Sequence, residues 1–145
     1  MNLCDSNVWL ALALSKHVHQ PTARRWFQGV VGRQAVAFCR ATQQTFLRLL
    51  TNPSVLAPYG NRPLTNAEAW GAYEALLSDD RIVLRADEPA GLEPRWKLLA
   101  TKDTASPKLW MDAYLAAFAI AAGCRLVTTD VAYRQFAGLD LLLLR

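Results

Sequence analysis

Residues 109–130 read LWMDAYLAAFAIAAGCRLVTTD, and this stretch decides the fold. Leu109 to Ala122 is the clearest helical pattern in the chain, almost free of charge. Gly123 ends it, because the left-handed backbone that closes a helix costs least where there is no Cβ. Arg125 to Thr128 follow at once as a short apolar run, the mark of a buried strand. Two acids frame the unit: Asp112 in the first turn of the helix and Asp130 just beyond the strand.

The same alternation extends over the rest of the chain. Asn2 to Cys4 reads as a buried strand, Asn7 to Leu14 as an apolar helix and Pro21 to Val30 as a second helix with proline in its first turn, where a missing N–H costs little. Ala35 to Cys39 is strand-like, and Thr42 to Leu50 is helical up to a stop at Asn52-Pro53. Pro53 to Pro63 reads as a loop. Thr65 and Glu68 have capping-box spacing ahead of a helix running to Leu77. Arg81 to Leu84 is a strand, Leu92 to Leu99 a helix, Thr101 to Lys108 a loop able to reach over a site, Val131 to Phe136 a short helix and Leu141 to Leu144 a last strand. Short apolar strands separated by helices predict an α/β fold, three-layered, with a central, mainly parallel sheet flanked by helices.

Composition sets the outer bounds. A length of 145 residues fits one domain spanning 1–145, and 52% hydrophobic residues supply a core without a metal or disulfide staple. Cys4, Cys39 and Cys124 are odd in number and far apart, so they read as reduced, buried thiols. The longest apolar stretch, Ala113 to Ala122, is about half of a membrane span, and the start of the chain lacks a secretory leader, so a cytoplasmic location and no membrane association are expected. A formal charge of +4, with 12 arginines among 16 basic residues, favours an anionic partner. No Gly-rich phosphate loop or nucleophile elbow is present, which disfavours nucleotide-triphosphate hydrolysis and serine-esterase chemistry.

In open sheets of this kind ligands bind beyond the carboxyl ends of the strands, and three aspartates fall there: Asp5, Asp112 and Asp130. Singly, each reads as a helix cap or a charge on a helix N-terminus. Jointly, on parallel neighbours, they would crowd three carboxylates whose mutual repulsion opposes ionisation unless a cation sits among them. Hard oxygen donors select Mg²⁺ or Mn²⁺ over zinc. Such a cation activates water and stabilises charge on a phosphodiester, so the chemistry implied is phosphodiester hydrolysis.

Asp5-Ser6-Asn7 after the first strand, Asp112 to Ala119 opening a helix, and Leu126-Val127-Thr128-Thr129-Asp130 near the end resemble the PIN-domain ribonucleases, and over the whole chain the VapC-type toxins of bacterial toxin–antitoxin pairs. The resemblance implies a metal-dependent endoribonuclease with Asp5, Asp112 and Asp130 holding Mg²⁺ or Mn²⁺, and Asn7 and Thr128 as supporting polar positions. It also implies a structured RNA substrate cut where it is single-stranded, a homodimer, and a small antitoxin that blocks the acidic pocket and grips the early helices.

The chain departs from that pattern in two places. Gln43, which adjoins Gln44, stands where a glutamate is expected, ahead of Phe46-Leu47-Arg48-Leu49-Leu50-Thr51-Asn52-Pro53. An amide oxygen supplies neither negative charge nor a base, so that role passes to an aspartate or to the water. The acid that many relatives carry just after the last aspartate is missing, since Val131-Ala132-Tyr133 follow. Both departures keep open a catalytically silent module that binds RNA or protein. Arg40, Arg48, Lys102 and Lys108 read as solvated charges unless they share a surface with the acids. The five tryptophans read as core or interface rather than base-stacking residues. His17 and His19 read as surface residues in a polar turn.

Overall fold

A computed structural model describes residues 1–145. Five strands form one sheet: β1 (Asn2–Cys4), β2 (Val36–Cys39), β3 (Ile82–Arg85), β4 (Arg125–Thr128) and β5 (Leu141–Leu143). Their order is β3-β2-β1-β4-β5, and every pairing is parallel, so the sheet is wholly rather than mainly parallel. All five carboxyl ends therefore open on one edge. Seven helices connect the strands: α1 (Ser6–Ala13), α2 (Gln20–Gln28), α3 (Arg40–Leu50), α4 (Pro53–Leu56), α5 (Asn66–Leu77), α6 (Leu92–Ala100) and α7 (Leu109–Ala122).

Strand alternation divides the core between two faces. Cys4, Val36, Phe38 and Val127 point to the side covered by α1 to α5, while Leu3, Ala37, Cys39 and Leu126 point to the side covered by α6 and α7. On the first face Trp9 stacks on Phe38 with ring centroids 3.7 Å apart, and Phe46 and Tyr73 pack around the same ring. Trp9 is fully buried, so the apolar first helix is covered within the chain itself. Truncating it to alanine would cost about 3–5 kcal/mol. No helix is long and apolar enough to cross a membrane.

Local signals placed most boundaries. Gly123 has φ 65° and closes α7 directly before β4. The Thr65 hydroxyl accepts from the Glu68 N–H and the Glu68 carboxylate from the Thr65 N–H, both at 3.1 Å, which starts α5. Two readings need correction. Pro53–Leu56 is a helical turn followed by a 3₁₀ turn at Ala57–Tyr59, not loop. The Asn52 side chain accepts from the Ser54 N–H at 2.9 Å, so Asn52-Pro53 both ends α3 and caps a new turn with proline at its first position. His17 is buried rather than on the surface: it lies against Tyr59 with ring centroids 4.9 Å apart, and its Nδ1 accepts the His19 N–H. The three cysteines are free and buried, as expected.

Candidate active site

β1 and β4 are neighbours, and their ends bring Asp5 and Thr128 together across 123 positions of sequence. The Thr128 hydroxyl donates to Asp5 Oδ2 at 2.8 Å and accepts the Asp130 N–H at 3.0 Å. One buried threonine thus orients two acids. The Asp130 carboxylate accepts the Ala132 N–H at 2.8 Å, capping the 3₁₀ turn Val131–Gln135. That turn carries Tyr133, whose hydroxyl donates to Asp112 Oδ1 at 3.3 Å from the first turn of α7.

The electrostatics record the crowding. Burial raises the Asp5 carboxyl from 3.8 to about 6; the Thr128 and Ser6 hydrogen bonds oppose the rise, while the charges of Asp112 and Asp130 add to it. Asp112 is also raised, first by burial and then by Asp130, with Tyr133 and Lys108 pulling it down. The Tyr133 hydroxyl is pushed far up by burial and by all three aspartates, so it remains a donor. Cys4, beside Asp5, is raised by burial and that carboxylate, and stays a thiol.

Asp112 and Asp130 line an open cavity of about 530 Å³ together with Lys102, Ser106, Pro107, Lys108 and Gln135. The loop from Thr101 to Lys108 forms one wall of this hollow and brings Lys102 and Lys108 into it. Those two lysines share a surface with the acids and are more than scattered solvated charges.

Gln43 follows the end of β2, the strand that pairs with β1 ahead of Asp5. It is buried at the start of α3, beyond β2, while the adjoining Gln44 is exposed. Its Oε1 accepts from Arg40 Nη1 at 2.7 Å, and it faces the buried Tyr73 hydroxyl, which has no hydrogen-bond partner. Asn7 is exposed in the first turn of α1, outside the Asp5–Thr128 hydrogen bond. Arg48 lines a separate hollow with Thr45 and Asn52, away from the acid cavity.

No three His, Cys, Asp or Glu side chains close into a ready-made cage. The donor set nevertheless fits a hard divalent cation, because Mg²⁺ retains several waters and is usually held by one or two carboxylates plus substrate phosphate. The raised proton affinities of Asp5 and Asp112, to which neighbouring carboxylates contribute, are also what a cation would relieve. Tyr133 and Gln135 were not singled out from sequence. The one readable signal was the spacing of Tyr133, one tight turn after the capping Asp130, which returns its ring toward the acids.

Comparison with known proteins identifies the family. The PIN domain family model matches residues 3–139. Ribonuclease VapC41 of Mycobacterium tuberculosis is 57% identical over 144 residues, covering 99% of each chain. Among solved structures, VapBC2 from Rickettsia felis bound to a promoter DNA fragment superposes with a TM-score of 0.69 at 14% identity, covering 99% of this chain and 98% of the other. The sarcin–ricin loop cleaving toxin VapC20 of Mycobacterium tuberculosis superposes with a TM-score of 0.66 at 17% identity, covering 97% and 98%. At those identities the structural likeness speaks to fold alone, whereas the sequence match carries the family. Five parallel strands, three acids gathered at one sheet edge and a full-length match to a VapC ribonuclease place this chain in the PIN-domain family, among the VapC-type proteins.

Proposed function

We propose that this chain, acting as one domain, is a metal-dependent endoribonuclease and the toxin of a toxin–antitoxin pair. The observation that carries the reading is the meeting of Asp5, Asp112 and Asp130 at the end of β1 and β4, in a chain 57% identical to a protein named a ribonuclease. Asp5, Asp112 and Asp130 would hold Mg²⁺ or Mn²⁺, which when bound supplies charge stabilisation at the phosphodiester and makes water a better nucleophile.

The chain's own residues do the rest. Thr128 holds Asp5 in place, and the Tyr133 hydroxyl fixes one oxygen of Asp112, so the carboxylates are oriented before substrate arrives. With a cation beside it Asp5 would be held ionised, as an oxygen donor and one of the three carboxylates able to take the proton of attacking water. Lys102 and Lys108, on the cavity wall, hold phosphate oxygens of the RNA. Gln43, held by its bond to Arg40, takes the place of a fourth acid without adding charge, and Asn7, two residues after Asp5, is a supporting polar position. The family membership supports a small antitoxin as partner, a homodimer and a cytoplasmic setting.

The test is incubation of purified protein with cellular RNA in Mn²⁺ or Mg²⁺. Cleavage that stops with EDTA and is lost in Asp112→Asn is expected; intact RNA under every condition would leave the silent module, whose motive is the amide at Gln43, as the better reading.

A further inference from the structure

On the β2 side of the acid cavity lies a second hollow of about 310 Å³, walled by Ala41, Trp96, Pro107, Trp110, Met111 and Tyr114. Pro107 lines both, so the two adjoin at the start of α7. Their positions follow from strand order. Asp130 and Ala132 lie past β4, Ala41 lies past β2, and β1 with Asp5 runs between them. A strand of nucleic acid crossing the sheet edge would pass the acids and reach this hollow with an adjacent nucleotide.

The hollow is built for a flat ring. Trp110 is 53% exposed and Met111 43%, on a helix whose next turns are buried. Trp96 Nε1 donates to the Trp110 carbonyl at 2.9 Å, and Trp96 meets Trp110 and Tyr114 edge to face. Tyr114 is fixed in turn by its hydroxyl donating to Glu88 at 2.8 Å. The polar atoms of Trp96 and Tyr114 are thus used within the protein. The six lining side chains include no charge, whereas Lys102 and Lys108 stand in the acid cavity that shares Pro107 with the hollow. Neutral aromatic walls next to cations match a polyanion that carries neutral, planar bases.

We propose that this hollow is a nucleobase subsite, in which Trp110 stacks an unpaired base beside the cleaved phosphate. The proposal rests on the ribonuclease reading above and adds a positioning residue to it. Stacking is tolerant of base identity, so the subsite selects unpaired RNA over paired rather than one base over another.

The test uses the full chain in EDTA with a labelled short single-stranded RNA and its abasic ribose-phosphate counterpart, read by fluorescence anisotropy. Trp110→Ala weakens RNA binding about tenfold, Trp110→Phe restores most of it, and all three proteins bind the abasic probe equally. In cleavage assays Trp110→Ala raises KM about tenfold with kcat within about twofold. Equal RNA affinity in wild type and Trp110→Ala, or no RNA binding by wild type, overturns the proposal. So does a change from dimer to monomer on sedimentation of Trp110→Ala, which would make the hollow an interface between copies. Trp110-dependent binding without Mn²⁺-dependent cleavage would remove the ribonuclease reading and leave the subsite standing.

Discussion

Where β1 and β4 end, the buried polar groups are acids: Asp5 is bonded to Thr128, Asp112 and Asp130 are close enough to raise its affinity for protons, and Tyr133 braces Asp112. Where β2 ends, one strand away, the buried polar group is an amide. Gln43 accepts from Arg40 at 2.7 Å and leaves the guanidinium without a counter-charge. The same sheet edge therefore carries strained negative charge at its centre and uncompensated positive charge at its flank. A cation and an RNA backbone need opposite charges, and the edge supplies them in separate places.

The largest effect should come from discharging the acidic half. Asp130→Asn keeps the cap on the 3₁₀ turn, since asparagine caps as well as aspartate, but removes one charge. RNA cleavage in Mn²⁺ is expected to drop by at least about a hundredfold with little change in stability. Arg40→Ala, on the other half, should instead raise KM severalfold and leave kcat unchanged. If both variants lose kcat alike, the two halves are one site and the comparison fails.

Next in size is a gain in stability. The Asp5 carboxyl sits at about 6 in the folded protein against 3.8 ordinarily. Below about pH 4 both folded and unfolded chains hold the proton; between about 4 and 6 the folded chain keeps a proton that the unfolded chain releases. Stability is therefore lost as pH rises through that window, by up to roughly 3 kcal/mol. Asp5→Asn has no such loss, so in EDTA at pH 7 it should be more stable than wild type by up to that amount, the gap closing toward pH 4. Urea denaturation across this range would show it. An Asp5→Asn protein less stable at pH 7 would mean that the Thr128 hydrogen bond outweighs the crowding.

How much of this was legible beforehand depended on whether a residue's role was local. The helix from Leu109 to Ala122, its glycine stop and the capping box at Thr65 and Glu68 are decided within a few residues, and the sequence displays them. Asp5, Asp112 and Asp130 could be placed on one edge because topology alone puts them there. Side-chain direction is tertiary, and there the reading stopped. The motif sets Gln43 beside the acids, but its bond to Arg40, three residues back on the same helix, is a side-chain choice that spacing alone does not display. His17 looked exposed because its covering partner, Tyr59, comes from a distant segment read as loop.

A smaller effect is expected of Arg40→Ala on folding. The substitution removes the donor at 2.7 Å from a buried Gln43 Oε1, and such an orphaned acceptor costs about 1–2 kcal/mol. The Tyr73 hydroxyl, buried nearby without a partner, can donate in its place and should hold the loss to about 1 kcal/mol, measurable by urea denaturation. In the double variant Arg40→Ala with Tyr73→Phe that replacement is gone, and the loss should exceed the sum of the two single losses.

The smallest effect is the most informative about the boundary between the halves. Gln43→Glu restores the carboxylate that the family pattern leads one to expect. Were Gln43 part of the acidic half, a fourth carboxylate would tighten Mn²⁺ binding by tenfold or more, since each added charge contributes directly to a hard cation's affinity. The structure points the other way: the new carboxylate would meet Arg40, at the position where Oε1 now accepts, and form an ion pair with it. Its charge is then spent on the guanidinium. Calorimetry should find Mn²⁺ affinity unchanged within about threefold, while RNA binding in EDTA weakens because the flank has lost its free cation. Tighter Mn²⁺ binding in Gln43→Glu would show that the side chain turns toward Asp5, and would merge the two halves into one site.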